Sequence, residues 1–394
     1  MTTPMAGERL RTLRDLLGIT QVELAEAAGV PQPRISEIEL GVREATEEIL
    51  DLIATATATP RSFFDVYPPD LPLGTLRFRK LASAKRGDTK RVKALFNEAY
   101  RVATDLLVNA SYPQPCLPVA TSADLTDRDV ERLAVEVREA LQIDGDGPIT
   151  HLTRAIERAG VAVAPLTLPG DHGGEDEAIG HFGVSHWPGP GEHALIGYFT
   201  GGPGDRQRYT LAHELAHLVL HSRRRTPVDP EGEANRLAGA ILMPYSRAVE
   251  VFDRAVTLRD LAQIKATWGM SIQALIMRGG HIGKIDDARK TSLFKQLSAR
   301  GWRKTEPVVV HPEVPMLLWR LLKRDYGEPV PYQKVAVKVG LSAVVVRSLS
   351  PHPAARTSPT PVSPTRPVVP SRPVRRAPAS VSDLSAVRAR HKSY

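Results

Sequence analysis

Cysteine and long apolar runs are almost absent from the 394-residue sequence. The only cysteine, Cys116, excludes both an internal disulfide and a zinc site built from several thiolates. No apolar run approaches the roughly 18 residues that suggest a membrane-spanning helix. The N-terminal stretch MTTPMAGERLRTLRDLL is charged and lacks the apolar stretch of a signal peptide. These absences predict a cytoplasmic protein with no membrane partner.

Acidic and basic residues are unevenly distributed along the chain. The formal net charge is +8, but residues 1–66 carry −5, whereas residues 67–350 carry +6 and residues 351–394 carry +7. The basic C-terminal segment contains nine prolines and few large apolar residues, which predicts disorder because such a segment cannot bury enough apolar surface. The acidic N-terminal segment is poorly equipped to attract a polyanion by its charge.

The stretch TLAHELAHLVLH (210–221) contains the pattern H-E-x-x-H. On a helix, residues four apart share a face, so His213 and His217 are predicted to bind one metal ion. Two imidazoles and a carboxylate suit zinc, and Glu214 lies beside them as a base for a water molecule. An ordinary amphipathic helix explains the leucines of this stretch but leaves the histidines without a reason.

A third metal ligand is expected from the next helix, PEGEANRLAGAILMP (230–244). His221 is about 12 Å from His213 along the helix, too far to share its ion, so we interpret it as a helix-end histidine. Glu231 shares the apolar face of the second helix, and a carboxylate on a buried face needs a partner such as a metal. Glu233 projects to the side and is interpreted as a solvated charge or as support for the ligands.

These stretches resemble the ImmA/IrrE family of zinc metallopeptidases. The resemblance rests on RYTLAHELAHLVLH (208–221) and EGEANRLAGAILMP (231–244), with GPITHLTRAIERAGVAV and HFGVSHWPG similar to the opening segments of that family. Ala216 and Leu237 depart mildly from the family pattern, which usually has glycine and an aromatic residue there.

The resemblance implies a specific set of roles in an α+β, zincin-like domain. Zinc is expected on His213, His217 and Glu231, with Glu214 as the catalytic base. Candidates for stabilising the oxyanion are Tyr209, Tyr245 and His221. Residues 193–199, HALIGYF, are predicted to pair as a hairpin with the strand before them and to offer an edge strand to an extended substrate.

The N-terminal stretch TQVELAEAAGVPQPRISEIELG (20–41) has the form of a helix-turn-helix and resembles the Cro-like XRE family. That resemblance implies a buried Arg14–Glu39 pair, a phosphate contact from Gln21 and base contacts from Gln32, Pro33 and Glu37. Pro33 cannot donate a hydrogen bond, and Glu37 can only accept one, for instance from cytosine N4.

Two roles remain open for this domain, namely DNA binding and docking to a protein such as a repressor of the same fold. Arg34 and Arg43 are candidate phosphate contacts, and formation of a homodimer would double their number.

Taken together, the sequence predicts a multidomain, mainly α protein. The predicted segments are an all-α helix-turn-helix domain (1–69), a helical linker region (70–145), an α+β zinc peptidase domain (146–287), a helical C-terminal extension (288–350) and a disordered tail (351–394). The predicted function is a zinc endopeptidase that regulates transcription by cleaving a protein substrate, a transcriptional repressor, with double-stranded DNA as a further partner. The alternative is a non-proteolytic DNA-binding regulator in which the zinc domain is a sensor or scaffold.

Overall fold

The computed structural model describes residues 5–67, 71, 77–80, 86–122, 124–167, 181–224, 227–254, 256–303 and 305–353. Over these residues the chain is mainly helical with one small mixed β-sheet, which confirms the predicted fold class. Within this described part, no helix has both the length and the apolar content needed to cross a membrane. Apart from its first three residues, the predicted disordered tail lies outside the described residues.

Short helices surround a small apolar core at the N-terminus. They are α1 (Ala6–Leu17), α2 (Gln21–Ala28), α3 (Gln32–Glu39), α4 (Glu47–Ala56) and a 3-10 helix (Arg61–Asp65). Helix α2 begins after Thr20, whose hydroxyl accepts the Glu23 N–H while the Glu23 carboxylate accepts the Thr20 N–H. Gly29 ends α2 in the left-handed conformation, with φ of 64°. Residues 20–39 therefore form the predicted helix-turn-helix.

Helix α5 (Arg86–Asn109) connects this N-terminal core to the rest of the protein. Arg9 of α1 is fully buried, where its Nε donates to the carbonyl of Phe63 and its guanidinium pairs with the buried carboxylate of Glu98 on α5. Arg101 binds the same carboxylate at 2.9 Å. Two guanidinium groups thus compensate the cost of burying Glu98, and the Arg9–Glu98 pair holds the helix-turn-helix against α5.

Two larger apolar cores lie beyond the N-terminal one. The first is built mainly from α6 (Asp127–Ala140), α7 (Leu152–Arg158), α8 (Gly204–His221), α9 (Pro230–Leu242), α10 (Tyr245–Val251), α11 (Leu258–Trp268), α12 (Ile272–His281) and α13 (Asp287–Ala299). The second contains α5 together with α14 (Leu317–Tyr326), α15 (Tyr332–Val339) and α16 (Ala343–Leu349). The sequence division into five segments stays a prediction.

The sheet contains β1 (Arg77–Lys80), β2 (Val161–Leu166), β3 (His181–His186) and β4 (Ala194–Phe199), in the order β1-β3-β4-β2. Strand β4 is parallel to β2 and antiparallel to β3, so the predicted hairpin is confirmed. The expectation that residues 193–199 offer an edge strand was wrong, because β4 is hydrogen-bonded to a strand on each side. The hairpin partner of β4 is recognisable from the neighbouring sequence. The second neighbour of β4 is β2, which lies about 30 residues earlier in the chain.

Strand β2 lies between the two larger cores. Its side chains alternate, so that Val161 and Val163 join the core around α8 while Ala162 and Ala164 join the core around α5. Helix α8 packs against β3 and β4, and α9 packs against α8. This layering places the H-E-x-x-H helix between the sheet and the helix expected to supply the third ligand.

Candidate metal centre and helix-turn-helix surface

Helix α8 brings two histidines together in the protein interior. His213 and His217 are 0% and 1% exposed, and their Nε2 atoms are 3.0 Å apart. The helix itself aligns the rings, because residues four apart lie about one turn from each other on the same face.

Glu231 approaches the two histidines from the first turn of α9. Its Oε2 is 3.2 Å from the Nε2 of His213, and its Oε1 is 3.3 Å from the Nε2 of His217. Helix α9 begins after Asp229, whose carboxylate accepts the Gly232 N–H at 2.8 Å. Burial raises the pKa of Glu231, but its contacts with the two histidines outweigh burial and hold that pKa well below its usual range.

The three side chains fit a divalent metal ion. One ligand atom from each residue lies within 4.8 Å of the other two. Tetrahedral zinc with nitrogen and oxygen ligands implies separations of about 3.3 Å between ligand atoms, close to the 3.0 to 3.3 Å found here. Two imidazoles and one carboxylate also match the donor set of zinc sites that keep one position open for chemistry.

Two further side chains orient the histidine rings. The Oδ1 of Asn235 is 3.0 Å from the Nδ1 of His213, and the Nδ1 of His221 is 2.9 Å from the Nδ1 of His217. Each ring therefore turns its Nε2 atom toward the position between His213, His217 and Glu231 where a metal ion would bind. His221 is the last residue of α8, as predicted. It contacts the Nδ1 of His217, whereas the Nε2 of His217 approaches His213 and Glu231.

Sequence reasoning assigned no role to Asn235, although a signal was present. Asn235 follows Glu231 by four residues, so both lie on the face of α9 that meets α8. His221 follows His217 by the same interval. A polar residue one helical turn beyond a ligand is therefore the pattern that indicates these supporting contacts.

The burial of Glu231 is opposite to the sequence expectation, whereas Glu233 agrees with one of its two expected roles, support for the ligands, rather than with a solvated charge. The side chain of Glu231 is 51% exposed, whereas that of Glu233 is only 10% exposed. Glu233 forms an ion pair with Arg224 at 2.9 Å and lies 3.5 Å from His221. The expectation of a buried Glu231 was wrong because the first residues of α9 lie at the rim of the core, and the buried residues of the helix begin only at Glu233.

Glu214 is completely buried, and strand β3 holds its carboxylate in place. Its Oε2 accepts a hydrogen bond from the hydroxyl of Ser185 at 2.7 Å. A Cβ atom at Gly183 would lie 2.7 Å from the Oε1 of Glu214, so glycine allows β3 to approach the helix this closely. Ser185 and Gly183 were not identified from the sequence, because only the packing of β3 on α8 brings them to Glu214.

The three candidates for oxyanion stabilisation occupy different positions. The hydroxyl of Tyr209 lies 3.2 Å from the Oδ1 of Asn235, next to the ligand His213. Tyr245 is 53% exposed at the start of α10. His221 contacts the outer nitrogen of His217, which places it behind the ligands. Tyr209 therefore reaches the ligand set through Asn235, whereas His221 contacts a ligand directly but on its outer nitrogen.

The helix-turn-helix contains a network of polar side chains around Glu39. Arg14 donates two hydrogen bonds to the Glu39 carboxylate, at 2.8 and 3.1 Å, and Glu39 is buried, which confirms the expected pair. The Nε2 of Gln21 donates to the same carboxylate at 2.8 Å, and the Nε2 of Gln32 donates to the Oε1 of Gln21 at 3.0 Å. These contacts tie the end of α3 to the end of α1 and to the start of α2, and they tie the start of α3 to the start of α2.

The remaining predicted DNA contacts form a second, more exposed group on and after α3. The Oε2 of Glu37 is 2.7 Å from the Nε of Arg43 and 3.8 Å from the Nε of Arg34. Pro33 lies in the first turn of α3, where its missing N–H has no helical partner. Glu37 therefore compensates part of the positive charge that this surface would present to phosphate groups.

Comparison with known protein families gives two matches. Residues 10–64 match the family model described as helix-turn-helix, and residues 193–278 match the model described as IrrE N-terminal-like domain, a peptidase family. The second match includes α8 and α9, and with them the three clustered ligands and Glu214. No curated protein matches the chain. The chain thus combines an XRE-type helix-turn-helix domain with an IrrE N-terminal-like peptidase domain.

Proposed function

We propose that this chain, with its helix-turn-helix and its IrrE N-terminal-like domain, is a zinc-dependent endopeptidase that regulates transcription by cleaving a repressor. The observation that carries the proposal is the convergence of His213, His217 and Glu231 beside the buried Glu214. A site that only stabilised the fold would need a fourth protein ligand and would have no use for the adjacent carboxylate.

Each residue of the site has a distinct role in the proposed reaction. His213, His217 and Glu231 hold the zinc ion, which when bound acidifies water and polarises a peptide carbonyl. Glu214 accepts the proton of the attacking water molecule and then donates it to the nitrogen of the leaving amine. Ser185 fixes the carboxylate of Glu214 through its hydrogen bond to Oε2.

Protein contacts around the site keep its groups in a productive arrangement. Asn235 and His221 each engage the outer nitrogen of one histidine, which restricts ring rotation and keeps Nε2 available to the metal. Burial of Glu214 separates it from bulk water, which strengthens its electrostatic interactions inside the site.

The helix-turn-helix is proposed to bring the peptidase to its target. It would contact double-stranded DNA through Gln21, Gln32, Arg34, Glu37 and Arg43, or contact the repressor directly, and a homodimer would bring two such surfaces together. Arg9, Glu98 and Arg101 support either role, because their buried contacts fix the position of this domain on α5.

The test compares newly formed protein N-termini in cells that contain the wild-type chain or the Glu214→Gln variant. The variant keeps the size and hydrogen-bonding capacity of the side chain but removes the base, so the cleavage products are expected only with the wild type. Glu250→Gln is the matched control, because Glu250 is an exposed carboxylate on α10, far along the chain from the ligands. Purified wild type and both variants should contain equal amounts of zinc.

Two results would contradict the proposal. Identical N-termini with wild type and Glu214→Gln under several stresses would favour a zinc-containing DNA-binding regulator without protease activity. Absence of zinc from the purified wild-type protein after reconstitution would remove the basis of the mechanism itself.

A further inference from the structure

A cavity of about 400 Å³ lies between α7 and α14, on residues that the proposed peptidase reaction does not use. Four of its lining residues are arginines, two from each helix: Arg154, Arg158, Arg320 and Arg324. In each helix the two arginines are four residues apart, so both project from the same face. The two faces meet although they are separated by about 160 residues of sequence, which makes the cluster a product of the tertiary fold.

The positive charge of this cavity is only partly compensated. Arg324 pairs with Asp325 at 2.7 Å. Among the residues that the structure describes, Arg154, Arg158 and Arg320 form no ion pair with a carboxylate, and the buried Nε of Arg154 has no hydrogen-bond partner. Desolvation lowers the pKa of Arg154. The carboxylates of Glu157 and Glu313 oppose this effect, whereas the positive charges of Arg320 and Arg158 add to it. Arg154 is partly buried, and its guanidinium contacts the Sδ of Met316, which is only a weak acceptor, so its charge is poorly compensated.

The single carboxyl group in the lining, Glu157, is already engaged. Its Oε1 accepts the backbone N–H groups of Met316 and Leu317, both at 2.8 Å, at the start of α14. Burial raises the pKa of Glu157 to about 7 despite these two hydrogen bonds. Glu157 therefore serves the start of α14, and its attraction to Arg154 and Arg320 compensates only part of the charge of four arginines.

The chemistry of the lining indicates the class of ligand. A phosphate carries up to two charges and three acceptor oxygens, so it can bind several guanidinium groups at once, whereas one carboxylate has only two oxygens and one charge. Tyr112, Leu317 and Leu321 supply an aromatic ring and an apolar wall beside the arginines. The volume falls within the range of about 300–1,000 Å³ that is typical of small-molecule sites.

We propose that the cavity between α7 and α14 binds a small organic phosphate, with the arginines on the phosphoryl group and Tyr112 with the two leucines on the organic part. Adenosine 5′-monophosphate is a suitable probe, because it combines one phosphoryl group with an aromatic base. Adenosine and inorganic phosphate are its two fragments and test the two halves of the cavity separately.

The experiment is isothermal titration of the full-length protein with each of the three probes. Saturable one-to-one binding of adenosine 5′-monophosphate is expected, with weaker binding of inorganic phosphate and the weakest of adenosine. Arg320→Gln should weaken binding of the monophosphate by about ten- to a hundredfold, because a charge-assisted contact is lost. Arg320 is exposed, so its replacement should leave the fold intact, which circular dichroism verifies.

Three matched variants separate this cavity from other cationic sites. Arg132→Gln on α6, where the side chain is 72% exposed, and Arg375→Gln near the C-terminus should leave the affinity unchanged. Glu231→Gln should also leave the affinity for adenosine 5′-monophosphate unchanged. If Glu231→Gln loses this affinity and Arg320→Gln keeps it, the phosphate binds at the metal centre and the proposal is overturned.

Two further outcomes overturn it. One is the absence of saturable binding of both phosphate probes. The other is Arg320-dependent binding of a short DNA duplex without binding of the small phosphates, which would make the surface a nucleic-acid contact.

Discussion

Residues 14–43 and residues 213–235 both place several polar side chains on short helices, but the two regions use them differently. In the helix-turn-helix, Gln21 binds Glu39, and Glu37 pairs with Arg43. In the metal centre, His213 and His217 turn their Nε2 atoms toward one point that they share with Glu231.

The difference lies in which atoms are left available to a ligand. In the helix-turn-helix, the side-chain contacts join protein groups to each other. They stabilise the domain and reduce the positive potential that Arg34 and Arg43 present to DNA. In the metal centre, contacts with Asn235 and His221 occupy only the outer nitrogens of the rings. When polar side chains use one atom for contacts with neighbours and turn their remaining ligand atoms toward one point, the cluster indicates a binding site. When the side chains pair only with each other, the cluster indicates a structural network.

The largest effect is expected from Glu231→Gln. The amide removes the negative charge and one strong ligand, so the affinity for zinc should fall by more than the about 10–100-fold that changes in supporting residues cause. Zinc affinity is measured by competition with a chromogenic chelator, with Glu250→Gln as the control. Equal affinities of the two variants would contradict the assignment of Glu231 as a ligand.

A smaller loss is expected when the outer nitrogens of the histidines lose their partners. Asn235→Ala and His221→Ala should each reduce zinc affinity by about 10–100-fold while keeping a stoichiometry of one, because the ligands remain but their rings are less fixed. The same competition titration measures both variants. If either variant binds zinc as tightly as the wild type, ring orientation by that residue is not part of the site.

In the helix-turn-helix, Glu39→Gln should destabilise the fold without changing zinc binding. Burial raises the pKa of Glu39, but hydrogen bonds from Arg14 and Gln21 outweigh it and lower the pKa below its ordinary value of 4.5. Because the folded-state pKa is depressed, this stabilisation is present above pH 4.5 and is lost as the pH falls through the folded-state value. A loss of about 1–3 kcal/mol is expected at pH 7.

The measurement for Glu39→Gln is hydrogen exchange of amides in residues 6–39 at pH 7, which reports the local free energy of opening. Thermal unfolding compared at pH 7 and at pH 3.5 then tests the sign, because the difference between variant and wild type should shrink at the lower pH. A difference that grows on acidification would show that the carboxylate does not stabilise the fold in its charged form.

The smallest effect is expected from Glu37→Gln. This variant releases Arg34 and Arg43 from their pairing with Glu37, so affinity for a non-specific DNA duplex should rise by about two- to fivefold at low salt and by less at 0.2 M salt. Fluorescence anisotropy at two salt concentrations measures this change. Weaker binding, confined to certain sequences, would instead indicate that Glu37 accepts a hydrogen bond from a base.

Features that depend on short-range periodicity were correctly predicted from the sequence. The four-residue interval between His213 and His217 aligns their rings in any helix, and the helix-turn-helix over residues 20–41 follows from helical spacing interrupted at Gly29. The pairing of β3 with β4 follows from two short strands separated by a turn. These contacts join residues that are close in sequence, so local backbone geometry is sufficient to define them.

Only the tertiary structure decided which distant segments meet. It placed Ser185 on the carboxylate of Glu214, set β4 in the interior of the sheet and left Glu231 at the rim of the core. It also joined the arginines of α7 and α14 around one cavity. The sequence by itself determined the helix that carries His213 and His217 and the helix-turn-helix, because helical geometry repeats every few residues. Burial and long-range contacts instead depend on how the whole chain packs.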